Sequence, residues 1–566
     1  MIQYRLSQKF PHDSFLQVEI RLKSSNPTFE MKLPNWRPGR YQLGNFSKYL
    51  RNFQAFDHNG EAIDFSKTNK NTWRINCPEN QCIIRYEIYT SIIDGGSTYV
   101  DEEHWYLNFI NCMLYEPNEM HRSHEIELSI PGDWEIACSL ERNGKKLLAK
   151  SFYELVDSPL LAGKNLQHLQ YKVNDINFHL WFRGKVDLNN KEQIITDFEK
   201  FTALQIDTMG AFESTDYHFL FQIPDEKAYH GVEHLNSTCI VLGPSKEFNS
   251  EAFYNNFLGI SSHELFHYWN IIRIRPKEMY PYNFETENYF STGYVAEGVT
   301  TYYGDLFLVR SGVKDLDWYL TEINLLFKRH FENYGRFNAS VAESSWDLWL
   351  DGYEAGIPHR KVSIYVKGAL IALILDLRII LESKGEKSLD DVMRKLWNDF
   401  YTKDQGYSPE DYLRTAEEII GHDLTAYSKL YIEGCEPLEK ELQELLNQFG
   451  FKMELKSNEN LLAHHFGFKS NEGKIISIAP DSPAEKTLRI GDEIISIDNQ
   501  KFEEIDEEVF LLQDKTEYRI QFFRNNLQKE VRINSGNDNY YSRYIIKEND
   551  SITEKESLMR TKWLNV

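Results

Sequence analysis

The spacing of apolar residues changes twice along the chain, and each change marks a different kind of element. From residue 1 to about 165, runs such as Phe15-Leu16-Gln17-Val18-Glu19-Ile20-Arg21-Leu22 and Cys82-Ile83-Ile84-Arg85-Tyr86-Glu87-Ile88-Tyr89 alternate apolar and polar positions. A period of two puts successive side chains on opposite faces of a strand. Turn pairs fall between such runs, at Pro38-Gly39, Asn59-Gly60, Gly95-Gly96 and Pro131-Gly132, so residues 1–168 are expected to form a β-sandwich domain. From about 170 to 440 the period lengthens to that of helices, over 191–209, 249–272, 292–310, 315–334 and 363–383, with short apolar segments at 217–223 and 237–242. This predicts a small sheet beside several helices, a catalytic-sized domain over 169–445. A third unit is expected at 450–535, where 473–478 and 491–499 read as strands. The remainder, 536–566, is polar and charged and is expected to be a loosely held tail. The fold class is multidomain α+β.

Composition narrows the partners. The 566 residues exceed one core, and 41% hydrophobic residues allow several. Asp and Glu outnumber Lys and Arg by 86 to 63, a formal charge of -23, and no basic stripe is dense enough to neutralise phosphates, so no nucleic acid is expected. No window approaches 18 uncharged apolar residues, and the start, Met1-Ile2-Gln3-Tyr4-Arg5-Leu6, lacks an apolar leader. Neither membrane association nor secretion is expected, and the cytoplasm is the expected compartment. The six cysteines are scattered without a CxxC pair; buried thiols are the default, with a Cys77 to Cys82 disulfide the alternative.

His263-Glu264-Leu265-Phe266-His267 carries the chemistry. Four helical residues rotate about 400°, so both imidazoles leave one face a turn apart, as a tetrahedral Zn²⁺ requires. Glu264 projects elsewhere, where it addresses the attacking water. By chance alone the five-residue pattern arises in roughly one sequence of this length in sixty, so a third ligand must come from another segment. Glu297 is the candidate, 30 residues after His267 in Tyr294-Val295-Ala296-Glu297-Gly298-Val299-Thr300-Thr301-Tyr302-Tyr303. That stretch reads as a helix capped near Ser291 or Thr292, and glycine after the acid lets a neighbouring helix approach.

At these residues the chain resembles the glycyl aminopeptidases, gluzincin zinc metallopeptidases with two His and one Glu as ligands. The likeness rests on His263-Glu264-Leu265-Phe266-His267-Tyr268-Trp269-Asn270, Arg273-Ile274-Arg275-Pro276, Glu297-Gly298-Val299-Thr300-Thr301-Tyr302-Tyr303 and Trp36-Arg37-Pro38-Gly39. It implies a thermolysin-like catalytic domain, one Zn²⁺ held by His263, His267 and Glu297, and Glu264 as general base. It also implies Tyr365, before Val366-Lys367-Gly368, as donor to the oxyanion. Gly231-Val232-Glu233-His234 is similar to the family's Gly-x-Glu-His stretch, which makes Glu233 the anchor for a free α-ammonium on an edge strand, with Gly231 beside the substrate. His230 stands where relatives commonly have a second glycine. Arg273 and Arg275 read either as a substrate-carboxylate site or as structural charges at a helix C-terminus. His104, His230, His234 and His359 read as ordinary surface or core histidines.

Asp481-Ser482-Pro483-Ala484-Glu485 followed by Gly491-Asp492-Glu493-Ile494 resembles a PDZ domain. Such a module receives peptide or protein C-termini, with Phe466-Gly467-Phe468 as the carboxylate loop, or serves as a purely structural unit. The activity implied is removal of small first residues, Gly or Ala, from peptides with a free N-terminus. Two alternatives stand beside it: a broader zinc endopeptidase, and a peptide-binding, chaperone-like protein that uses the PDZ-like module.

Overall fold

Alternation in the first unit is realised as strand pairing. In the computed structural model, which describes residues 1–79, 81–354, 356–504, 516–535 and 539–565, Leu16, Val18, Ile20 and Leu22 of Phe15–Lys23 stand opposite Ile88, Tyr86, Ile84 and Cys82 of Gln81–Tyr89. All eight side chains are buried. A slip of one residue would turn every one of them to solvent, so the apolar face sets the register. Both strands belong to a seven-stranded sheet, and a four-stranded and a three-stranded sheet complete the sheet-rich N-terminal unit. None of the six cysteines, Cys77 and Cys82 included, is in a disulfide.

The middle unit is a five-stranded sheet flanked by helices. Its spatial order is Gln167–Val173, Ile176–Gly184, Asp216–Ile223, Ser237–Gly243 and Ala228–His234, which leaves Ala228–His234 at an edge. The helix Glu251–Phe266 starts at Ser250, whose hydroxyl accepts the Phe253 amide at 3.2 Å. The helix Ile364–Glu382 starts at Ser363 in the same way and is buried on almost every side, which is why its sequence is apolar nearly all round. Before the helix Thr300–Arg310 the chain makes a π-helical turn, Tyr294–Val299. At that turn a Cβ on Gly298 would overlap the Cα of Gly368 in Ile364–Glu382. Glycine at both positions is what allows the two helices to touch.

The C-terminal part departs from its expected layout. The PDZ-like sheet runs from Phe468–Asn471 to Leu527–Asn534 and has an apolar core of its own. Phe451–Lys456 pairs with Arg543–Glu548 in a separate two-stranded sheet, and the Ile546 amide donates to Asn324 Oδ1 at 2.8 Å. Residues 505–515 of the expected module and 536–538 of the expected tail lie outside the described residues. The expectation of a loosely held tail is corrected: Glu554–Leu564 is a helix with a Thr553/Glu556 capping box. Trp563 is fully buried, its indole N–H donates to the Tyr302 hydroxyl at 2.8 Å, and its carbonyl accepts from Arg310 Nε at 2.7 Å. One contiguous core accordingly runs from Ile2 through the middle unit to Leu564. The charges that make the tail look soluble cover the outer face of a helix whose Met559, Trp563 and Leu564 face inward.

Candidate active site

Two elements bring three donors to one point. His263 and His267 leave the end of the helix Glu251–Phe266, with their Nε2 atoms 3.1 Å apart. The π turn delivers Glu297, whose Oε2 lies 3.5 Å from His267 Nε2. Ligands about 2.0–2.2 Å from a tetrahedral zinc are about 3.3 Å from one another, so both separations are those of a tetrahedron's edges. His267 Nδ1 donates to the Asn270 carbonyl at 2.9 Å, which leaves its Nε2 lone pair aimed at His263 and Glu297. Lone pairs and a carboxylate turned on each other, with His267 and Glu297 buried and His263 half-buried, are a donor set that a small divalent cation completes. The residues present fit zinc.

A group absent from the sequence reading holds Glu297. The Tyr41 hydroxyl, from the N-terminal unit, donates to Glu297 Oε1 at 2.8 Å in a buried setting. This points the other carboxylate oxygen at His267. Tyr41 follows the Trp36-Arg37-Pro38-Gly39 turn by two residues, and the turn itself was the available signal.

Glu264 and Glu233 face the same space. The Glu264 carboxyl is pushed up to about 8, by burial above all, with His267 opposing and Glu233 and Glu297 adding repulsion. A Cβ on Gly231 would overlap that carboxylate, so any larger residue there would displace Glu264 from its position. Glu233 is raised too, again chiefly by burial, with His267 opposing. Its Oε2 lies 2.8 Å from where a Cβ on Gly39 would sit, and Gly39 has φ +77°. The edge strand thus carries Gly231 and Glu233 past the donor set with the N-terminal turn laid against it. Tyr365 begins the helix Ile364–Glu382, half-buried; burial and then the charges of Glu297, Tyr353, Glu233 and Glu264 hold its hydroxyl protonated. It is a neutral O–H donor beside three carboxylates.

The remaining candidates fall elsewhere. Arg273 donates to the carbonyls of Leu235 and Tyr268 and to Asn236, and Arg275 to those of Ile271 and Ile272. Both tie down the loop after the helix, so the structural alternative holds for them. His234 pairs with Asp157 at 2.9 Å and His104 with Asp101 at 3.1 Å; His230 accepts the Gly95 amide, and His359 meets the Ile478 carbonyl. Among the described residues, two other donor groups occur: Glu233, Glu264 and His267, which overlaps this site, and the more exposed Asp57, His58 and Glu79.

Comparison with known proteins gives a consistent set of matches. Residues 3–164 match the Peptidase M61 N-terminal domain, 256–371 the M61 glycyl aminopeptidase domain, and 439–518 a PDZ domain. A crystal structure of an aminopeptidase N family protein from Idiomarina loihiensis superposes with a TM-score of 0.91 at 25% identity, covering 100% of both chains. Aminopeptidase A of Legionella pneumophila in complex with aspartic acid gives a TM-score of 0.46 at 12% identity, over 98% of this chain and 57% of that one. No curated protein matches the sequence. Among the described residues, no helix is long and apolar enough to cross a membrane.

Proposed function

We propose that this chain, which belongs to the M61 glycyl aminopeptidase family and is a peptidase, is a zinc aminopeptidase that removes small first residues, Gly or Ala, from unblocked peptides. The observation that carries the reading is the buried carboxylate of Glu233 on an edge strand beside the donor set of His263, His267 and Glu297. A buried carboxylate that shares its space with Glu264 and Glu297 is costly, and an α-ammonium pairs it. A chain cut internally has no such charge to offer there, which favours the aminopeptidase over the endopeptidase.

Zinc, bound by His263, His267 and Glu297, would polarise the scissile carbonyl and acidify the attacking water. Glu264, a buried carboxyl raised towards neutrality, takes the water's proton and passes it to the leaving amine. The Tyr365 hydroxyl donates to the carbonyl oxygen as negative charge develops. Glu233 fixes the amine, so the first peptide bond and no other lies over Glu264. The glycyl aminopeptidase match supports the preference for small first residues. Six cysteines without a disulfide fit a reducing compartment, the cytoplasm.

The test uses Gly- and Ala-amides beside their N-acetyl forms. The free amides are cleaved, the acetylated ones are not, and a chelator abolishes turnover until zinc is restored. Equal cleavage of blocked substrates would return the endopeptidase. Glu264→Gln should lower kcat by about a thousandfold or more while zinc content by elemental analysis stays at that of the parent protein.

A further inference from the structure

The direction in which a peptide crosses the site follows from the residues already placed, and it leads to a basic cavity. Glu233 takes the amine, and Glu264, which acts on the first peptide bond, stands against Gly231. From amine to scissile bond the substrate therefore runs from Glu233 towards Gly231, antiparallel to the strand Ala228–His234. Residues beyond the cut continue along the same edge past His230, each advancing about 3.3 Å.

His230 is where the N-terminal unit closes on the strand. Its Nδ1 accepts the Gly95 amide at 3.1 Å, and Asp94 lies 4.0 Å away. Arg37 is close enough to His230 to oppose its protonation, second only to burial, and Arg40 contributes as well. Both arginines line a cavity of about 240 Å³, with Lys48 and Asp94 on the same wall.

Arg37 is one of four buried cations among the described residues. It is 4% exposed, and its guanidinium lies against Gly96 so closely that a Cβ there would overlap it. Its Nη1 donates to the Pro38 carbonyl at 3.3 Å, and no carboxylate among the described residues lies within 4.0 Å of it. Arg40 stacks over Tyr353 at 4.5 Å and donates to Gln42. Three cations against one anion leave this wall positive in a chain of net charge -23. Buried guanidinium groups pair with planar anions, and a carboxylate accepts both of their parallel N–H bonds.

We propose that Arg37, assisted by Arg40, receives the C-terminal carboxylate of a short peptide, so that the enzyme selects tri- and tetrapeptides by holding both ends at once. This rests on the aminopeptidase reading, because Glu233 sets the direction of the chain. A tripeptide places its carboxylate on the second residue past the cut, alongside His230; longer chains must carry the terminus past the cavity. Arg37 thus takes the role that the sequence alone offered to Arg273 and Arg275, whose guanidinium groups donate mainly to the backbone carbonyls of Leu235, Tyr268, Ile271 and Ile272.

The experiment compares Gly-Gly-Gly with its C-terminal amide. Wild-type enzyme should cleave the free acid with kcat/KM at least about tenfold above the amide, since hydrogen bonds to a charged group carry that much discrimination. The acid-to-amide ratio should fall towards one in Arg37→Gln and fall in part in Arg40→Gln. The ratio is internal to each variant, so a general loss of active protein divides out. Should Arg37→Gln fail to fold, Arg40→Gln and Lys48→Gln decide in its place. Equal wild-type rates on acid and amide, or a ratio unchanged in the folded variants, overturns the proposal. Cleavage of Gly-amide by wild-type enzyme, which has no carboxylate to bind, keeps the aminopeptidase reading separate from this outcome.

Discussion

Glu297 is held by a hydroxyl from another unit, and in the proposed zinc site that single bond ties metal affinity to the N-terminal unit. Tyr41 donates to Oε1 at 2.8 Å, leaving Oε2 free to ligate. Removing the donor frees the carboxylate to rotate and leaves a buried acceptor unpaired. Tyr41→Phe should therefore weaken zinc binding by about 10–100-fold, read by competition with a chromophoric chelator. Unchanged affinity would mean that packing alone orients Glu297. The residues of the His-Glu-Leu-Phe-His segment were legible in the sequence because they lie within one helical turn, where spacing dictates geometry. Tyr41 was not, because 256 positions separate it from its partner and nothing local records that contact.

At the scale of elements, the site depends on how closely the π turn Tyr294–Val299 approaches the helix Ile364–Glu382. The glycine after Glu297 was read as a place for close approach, and the overlap that a Cβ at Gly298 would make with Gly368 is the form this takes. Gly298→Ala should force the two apart and cost about 1–3 kcal/mol, measured as a lower urea midpoint. Gly132→Ala, where a Cβ meets nothing within 4 Å, is the control and should change little. A plain helix over 292–310 was expected, and the π turn was not, because both periods fit the same apolar pattern over so few residues. The extra residue per turn turns Glu297 towards His267, as π turns commonly do at functional sites. The edge position of Ala228–His234 was expected; the turn of Gly39 laid against it required the fold.

Across the whole molecule, a core shared by the N-terminal sheets, the middle unit and the last helix makes the site a product of distant segments. Trp563 closes that core from the C-terminus. Trp563→Ala should cost about 3–5 kcal/mol, by cavity formation and the loss of its bond to Tyr302, and should lower the midpoint of thermal unfolding. Little change would indicate that the last helix is an appendage. A Thr553-x-x-Glu556 cap and the spacing of Met559, Trp563 and Leu564 were present in the sequence, but charge outweighed them in a segment with no visible partner. By itself the sequence determined what is local: strands by alternation, helices by period and cap, and the paired histidines with their glutamate. Tertiary structure alone decided which distant groups meet these elements, Tyr41 at Glu297, Arg37 beside His230 and Trp563 under Tyr302. The reason is physical: periodicity constrains side chains a turn or a strand apart, whereas contacts across hundreds of residues arise only when buried faces are packed together.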